Sequence, residues 1–202
     1  AGNSEEVGGL TASVNDGKQT IPKSYEFTVL AQNNMSDINQ IDLEDVVITD
    51  NYYLSAQEGD IDFLKRFDND RILYRFRDTA GIDTKGAKTY KGWEDSLIAG
   101  HIVGHYLTAV AQAIRATNDE ELKEKLADII HGLKECQDMV GTGFIFGAQV
   151  KDRDNIEKQF DLVESGITEI TWVPWYTMHK IMAGLVDTYK FTGNQEALDV
   201  AS

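Results

Sequence analysis

Histidines and large aromatic residues of this 202-residue chain concentrate in two short stretches, residues 92–106 and 172–184. Together the stretches hold all three tryptophans and three of the four histidines. Aromatic rings can lie against the C–H faces of sugars, while imidazole and carboxylate groups form hydrogen bonds with sugar hydroxyls. Core packing is the commoner role for any single aromatic residue, but the double cluster indicates a carbohydrate-binding site.

His101 and His105 are four residues apart, which on a helix places them on the same side, one turn apart. Paired metal ligands share this spacing, but the zinc-protease motif requires Glu directly after the first His, and position 102 is Ile. With no third ligand nearby, we predict no metal site in this chain. His101 could instead pack between helices, with Gly100 and Gly104 allowing a close approach.

In the second stretch, His179 occupies the position in its helix that matches His105 in the first. Parallel helices would direct both imidazoles to one end of a bundle and towards a shared pocket. Trp175 and Tyr176 lie just before His179, which strengthens the interpretation as a sugar site.

The catalytic residues are not identified by spacing. Cleavage of a glycosidic bond needs two carboxylates across the bond, or a carboxylate opposite another nucleophile. The nearest acids give no preferred pair; they are Glu94, Asp95, Glu164, Glu169 and Asp187. Phosphate-binding glycine motifs and serine nucleophile elbows are absent from the sequence.

Composition excludes several classes of partner. Thirty-four acidic against nineteen basic residues give a formal net charge of −15, which repels nucleic-acid phosphates and anionic lipid. Apolar runs such as residues 98–103 fall far short of the roughly 20 residues that span a bilayer. We therefore expect no nucleic-acid partner and no membrane insertion. The start of the chain shows no signal-peptide pattern, so location is undecided at this level.

Residues 1–41 are rich in turn-forming residues and alternate over residues 25–31, which predicts a β-type lead-in. This lead-in is either a strand of the main domain or the edge of an upstream β domain.

Helical periodicity begins at about Trp93 and predicts a long helix. A second helix follows, capped by Asn118 or Asp119, then a third over residues 176–191 and a fourth capped by Asn194. The apolar residues of the third helix, which are expected to point inward, are Ile181, Met182, Leu185, Val186 and Tyr189.

These helices predict two helical hairpins of similar construction. Stacked hairpins bury their apolar faces only against neighbours. Because the fourth helix is barely begun at Ser202 and the chain stops inside the second hairpin, we expect a truncated domain. The exposed face would be covered by the remainder of a helical barrel or by a second copy in a homo-oligomer.

Five motifs in a fixed order make residues 42–202 resemble the N-terminal part of the β-L-arabinofuranosidase-like glycoside hydrolases, families 127 and 146 and their uncharacterised relatives. The motifs are Gly92–Glu94, Gly100–Leu107, Leu133–Gln137, Gly143–Ile145 and Trp172–Ile181. The resemblance implies a mainly α fold, part of an (α/α)6 barrel, over residues 42–202. It also favours a secreted or cell-surface protein. The positions that it implies for sugar contact are His105, His179, Trp175 and Tyr176, followed by His101 and Glu94.

The resemblance further implies hydrolysis of terminal β-L-arabinofuranosyl or related linkages with retention. Active members are similar in using a cysteine nucleophile held by zinc, which further cysteines and a glutamate bind, and a second glutamate as acid/base. None of that set matches here, and Cys136 lies on an apolar helical stripe. We therefore expect the catalytic residues and the zinc site downstream of Ser202, and no activity in this chain alone.

Two other functions remain open. The chain could be a non-catalytic glycan-binding or scaffold helical domain that keeps the aromatic pocket. It could also belong to another helical-barrel enzyme, such as an unsaturated-uronyl hydrolase or a lyase.

Overall fold

The computed structural model describes residues 6–15, 20–29, 41–150, 152 and 154–202, the first two ranges by their backbone. The chain divides into two compact units, Ala1–Ile41 and Asp42–Ser202. In the first unit, β1 (Glu6–Asn15) and β2 (Thr20–Val29) pair antiparallel. The strand predicted over residues 25–31 is the second half of β2, and its last two residues lie outside the described residues.

The second unit is mainly α, and this confirms the predicted fold class. Its helices are α1 (Asn51–Lys65), α2 (Asn69–Ala80), α3 (His101–Thr117), α4 (Glu120–Val140), α5 (Lys158–Glu164), α6 (Pro174–Thr192) and α7 (Gln195–Ala201). Short 3-10 helices occupy Leu43–Asp45 and Gly92–Asp95. None of the helices in the described residues combines the length and the apolar character needed to cross a membrane.

Both predicted hairpins are present, α3/α4 and α6/α7, and both are built with the same turn. The first helix of each ends at a left-handed residue, Asn118 (φ 57°) or Gly193 (φ 71°). The next side chain, Asp119 or Asn194, accepts a hydrogen bond of 3.0 Å from an N–H in the first turn of the following helix. Asp119, and not Asn118, is therefore the cap of α4.

The predicted start of α3 near Trp93 is wrong, because α3 begins at His101. Gly100 has φ 95°, a left-handed conformation that interrupts a helix. Upstream of it, Lys91 and Gly92 also have positive φ and lead into the 3-10 turn. The helical spacing of apolar residues extends into this segment because Ile98 is buried, although it does not belong to a helix.

The inner helices α3 and α6 pack backbone against backbone through two glycines. A Cβ atom on Gly104 would lie 1.9 Å from the carbonyl oxygen of Lys180, and one on Gly184 would lie 2.5 Å from that of Gly104. Farther along the same helices, Thr108 Oγ1 donates to Asp187 Oδ2 at 2.8 Å. Both contacts advance in the same direction, so α3 and α6 run parallel.

The outer layer contains α2, α4 and α7, side by side. Gln137 Nε2 on α4 donates to the carbonyl oxygen of Val200 on α7 at 2.8 Å. On the other flank of α4, a Cβ atom on Gly132 would lie 2.4 Å from Leu73 Cδ1 of α2. The core between the layers includes Leu107, Val110, Leu126, Ile130, Leu133, Ile181 and Leu185. Two residues predicted to point inward, Val186 and Tyr189, are instead 48% and 40% exposed, because Ile181, Gly184, Leu185 and Thr188 form the buried stripe of α6.

Replacing Gly104 with Ala should lower the free energy of unfolding by at least about 2 kcal/mol, because the added methyl group meets backbone atoms that cannot move without displacing α6. Denaturant unfolding followed by helical circular dichroism measures the change. Gly59→Ala in α1 is the matched control, since nothing lies within 4 Å of the added carbon. It should stabilise the chain by about 0.5–1 kcal/mol through helix propensity. Equal effects of both substitutions would contradict the close approach of α3 and α6.

Candidate functional site

The two aromatic stretches meet at the N-terminal ends of α3 and α6. Trp93, in the 3-10 turn before α3, stacks on Trp172, just before α6, with ring centroids 5.8 Å apart and an interplanar angle of 29°. Trp93 is 60% exposed and Trp172 44%. Large aromatic faces left in water, next to imidazoles, are a surface on which a sugar ring can lie.

Trp172 has φ 52°, a left-handed conformation that is rare for a bulky residue. Its N–H donates to the carbonyl oxygen of Thr168 at 2.9 Å, which closes a tight turn before α6. Local strain of this kind persists only where the surrounding contacts hold it, and it occurs most often at functional sites.

Gln159 on α5 connects the two aromatic segments through hydrogen bonds. Its fully buried side chain donates from Nε2 to the carbonyl oxygens of Leu97 at 2.9 Å and Thr171 at 2.8 Å. Leu97 lies in the segment that carries Trp93, and Thr171 directly precedes Trp172. Sequence reasoning missed Gln159, because nothing in a polar residue on a short helix indicates which distant carbonyls it reaches.

Glu94 is 6% exposed, and its carboxylate faces the start of α3. The N–H of Gly100 donates to Oε2 at 2.8 Å, and the N–H of Ile102 donates to Oε1 at 3.2 Å. A negative charge at this end of a helix is stabilised by the helix dipole and the free N–H groups.

His101 is also buried, with its Nδ1 atom between two oxygens. Nδ1 lies 2.9 Å from the carbonyl oxygen of Ile98 and 3.2 Å from Glu94 Oε1. The imidazole ring is 6.0 Å from that of His105 and 6.3 Å from the ring of Tyr176, measured between centroids. The structure therefore groups His101, His105, Tyr176 and Glu94.

His105 lies on the solvent side of this group. Partial burial of its ring, the nearby ammonium of Lys180 and the ring of His101 lower the pKa of His105 below the ordinary range. Lys180 itself lies over the ring of Tyr176, with Nζ 5.3 Å from the centroid. A neutral imidazole at neutral pH can both donate and accept hydrogen bonds.

His179 and Trp175 are exposed on the first turns of α6. Trp175 packs edge-on against Phe160, with centroids 4.8 Å apart. Because Gly104 contacts Lys180, the predicted partners His105 and His179 lie on adjacent turns of the packed helices. Sugar contact remains a prediction for all six candidate residues.

The zinc-thiolate centre implied by the resemblance does not fit the residues present. Cys136 is buried in the core side of α4, and burial raises the pKa of its thiol to about 12. Across residues 41–150, 152 and 154–202, no group of three or more His, Cys, Asp or Glu side chains is placed to hold a metal ion. Cys136 therefore serves packing, as its apolar stripe predicted.

Residues 45–202 match the family model described as the β-L-arabinofuranosidase GH127 catalytic domain. No curated protein matches the chain.

The backbone of Trp172 gives a test of strain. Trp172→Gly and Trp172→Ala both remove the indole, but only Gly adopts a left-handed conformation without cost. The Gly variant should therefore be more stable than the Ala variant by about 1 kcal/mol in urea unfolding. At Trp175, inside α6, the order should reverse, with Ala more stable than Gly by about 1 kcal/mol. The same order at both positions would contradict the left-handed backbone at Trp172.

His105 should titrate below the ordinary histidine pKa of about 6.5 in a pH series of histidine NMR spectra. Lys180→Met should raise its pKa, whereas Lys190→Met, near the end of α6, should leave it unchanged. Below the ordinary value the unfolded chain binds a proton that the folded chain does not, so this residue's contribution to stability falls as pH falls. An unchanged titration in Lys180→Met would rule out the influence of Lys180.

Proposed function

Because the chain belongs to the GH127 β-L-arabinofuranosidase catalytic-domain family of glycoside hydrolases, we propose that it supplies the sugar-binding wall of an enzyme that hydrolyses terminal β-L-arabinofuranosyl or related linkages. The observation that carries this proposal is the exposed stack of Trp93 on Trp172, together with the contact of 3.2 Å between the next residue, Glu94, and the imidazole of His101. The family supports the reaction class, and the aromatic and imidazole groups support a sugar as the ligand.

A furanoside has one face rich in C–H groups and hydroxyls around its rim. The indole faces can accommodate the C–H groups, and His105 and Tyr176, whose rings both lie near that of His101, can form hydrogen bonds with the hydroxyls. The low pKa of His105 keeps its imidazole neutral, so it can accept from one hydroxyl or donate to another.

Neither Glu94 nor Cys136 is free to take part in bond cleavage at this surface. Retention requires a nucleophile on one side of the anomeric carbon and an acid/base on the other. Glu94 is occupied by main-chain N–H groups, and the Cys136 thiol is buried in the core. We propose that the nucleophile, the acid/base and any zinc ligands come from chain that follows Ser202 in the complete enzyme.

A second candidate is a glycan-binding helical domain without catalysis. It is favoured by the burial of the Cys136 thiol and by the lack of a metal-ligand group among the described residues. Both candidates need the aromatic surface, so they differ only in turnover.

Binding of methyl β-L-arabinofuranoside should depend on the aromatic stack. Trp93→Ala should weaken binding up to about tenfold in isothermal calorimetry, in line with about 0.5–1.5 kcal/mol for an aromatic contact. Tyr52→Ala, which removes an exposed ring on α1, should leave affinity unchanged. Equal affinities of the two variants would exclude the stack as the binding surface.

Turnover separates the two candidates. The 202-residue chain should bind but not cleave a chromogenic β-L-arabinofuranoside, while a longer product of the same gene should cleave it. Cleavage by the 202-residue chain would contradict the proposed position of the nucleophile. Binding without cleavage by the longer product would favour the glycan-binding domain.

A further inference from the structure

Glu94 turns its carboxylate towards the start of α3. Its side chain is almost fully buried, and three groups of this chain already surround its two oxygens. They are the N–H of Gly100, the N–H of Ile102 and Nδ1 of His101. The carboxylate therefore organises the start of α3 from inside.

The position of Nδ1 fixes the protonation pattern of His101. The two atoms within reach, the carbonyl oxygen of Ile98 and the carboxylate oxygen of Glu94, can only accept hydrogen bonds. Nδ1 must therefore carry a hydrogen. In the neutral imidazole the lone pair then lies on Nε2, the reverse of the form that predominates in free histidine.

Nε2 of His101 is free to meet a ligand. It makes no hydrogen bond among the described residues. Nor does it belong to the buried polar side-chain atoms that lack a partner there, which are Asn69 Oδ1, Gln159 Oε1 and Thr177 Oγ1. The His101 side chain is 11% exposed, and its ring lies 6.0 Å from that of His105 and 6.3 Å from that of Tyr176.

We propose that Glu94 is a positioning residue that holds His101 in the Nδ1–H form, so that Nε2 accepts a hydrogen bond from a sugar hydroxyl. This assignment rests on the proposed function for the sugar and on the geometry above for the tautomer. It replaces direct sugar contact as the role of Glu94. Nε2 of His101 then acts only as an acceptor, so it binds a hydroxyl that donates to it.

Hydrogen bonds from Arg75 fix the position of the segment around Glu94. Arg75 Nε donates to the carbonyl oxygen of Glu94 at 2.8 Å, and Arg75 Nη2 pairs with Asp95 Oδ1 at 2.6 Å. In the same segment, the carbonyl oxygen of Leu97 accepts a hydrogen bond from Gln159 Nε2 at 2.9 Å. The carboxylate therefore has a defined place from which to orient His101.

Nitrogen-15 NMR of the histidine rings reads the tautomer directly, in the absence of sugar. In the unaltered chain, at a pH where the imidazole is neutral, His101 should show a protonated Nδ1 and an unprotonated Nε2, with its signals assigned by their loss in His101→Gln. Protonation of His101 on Nε2 alone would overturn the proposal without any further variant.

Glu94→Gln is the decisive substitution. The amide has one acceptor oxygen in place of two and adds a donor, so the His101 signals should shift towards the Nε2–H form. Glu94→Asp should restore the original pattern in part. Asp119→Ala is the matched control, because it removes an acidic cap from the start of α4 and lowers stability without touching His101. Unchanged His101 signals in Glu94→Gln would show that the Ile98 carbonyl alone sets the tautomer.

Sugar binding completes the test. Glu94→Gln should weaken methyl β-L-arabinofuranoside about tenfold, the effect of losing one hydrogen bond, while Asp119→Ala should not. A chain with the Nδ1–H form that binds no glycoside would overturn the proposed function and the sugar acceptor together. An Nε2–H form in a chain that does bind would overturn only the positioning role of Glu94.

Discussion

The close approach of α3 and α6 at Gly104 and Gly184 is the constraint on which the site depends. A side-chain carbon at Gly104 would occupy the space of backbone atoms in α6, so the two helices can adopt this spacing only with hydrogen there. Since the helices are parallel, fixing them at these glycines also fixes the segments that lead into them. The stack of Trp93 on Trp172 follows from that spacing.

The segments that precede α3 and α6 gain their shape from polar contacts rather than from regular structure. Gly100 turns the chain sharply, and the carboxylate of Glu94 accepts the N–H groups exposed by that turn. Trp172 holds a left-handed conformation that costs about 1–3 kcal/mol, offset by the helix that begins after it and by the Gln159 hydrogen bonds beside it. The same contacts that end the loops therefore orient the aromatic rings.

Periodicity and capping residues were sufficient to predict α4, α6, α7 and all of α3 except its start, because each buries a regular stripe and each hairpin turns at an αL residue followed by a cap. They failed for α1, none of whose residues is buried, and for α2, whose buried side includes Arg77 in an ion pair with Asp70. In both helices the apolar pattern is diluted. The site was predicted as a set of residue types, whereas Gln159 and the burial of Glu94 depend on contacts between segments distant in sequence.

Under the proposed function, His101, His105 and Glu94 serve binding and not the reaction. His105 is kept neutral, His101 has its Nδ1 engaged by acceptors, and the carboxylate of Glu94 is turned away from solvent. These groups can orient hydroxyls, and the one carboxylate among them is buried. A surface that orients without reacting can hold a substrate through both steps of a retaining reaction, because its hydrogen bonds do not depend on the proton transfers. Under the proposed function, the groups whose charge changes during cleavage therefore come from outside this group of residues.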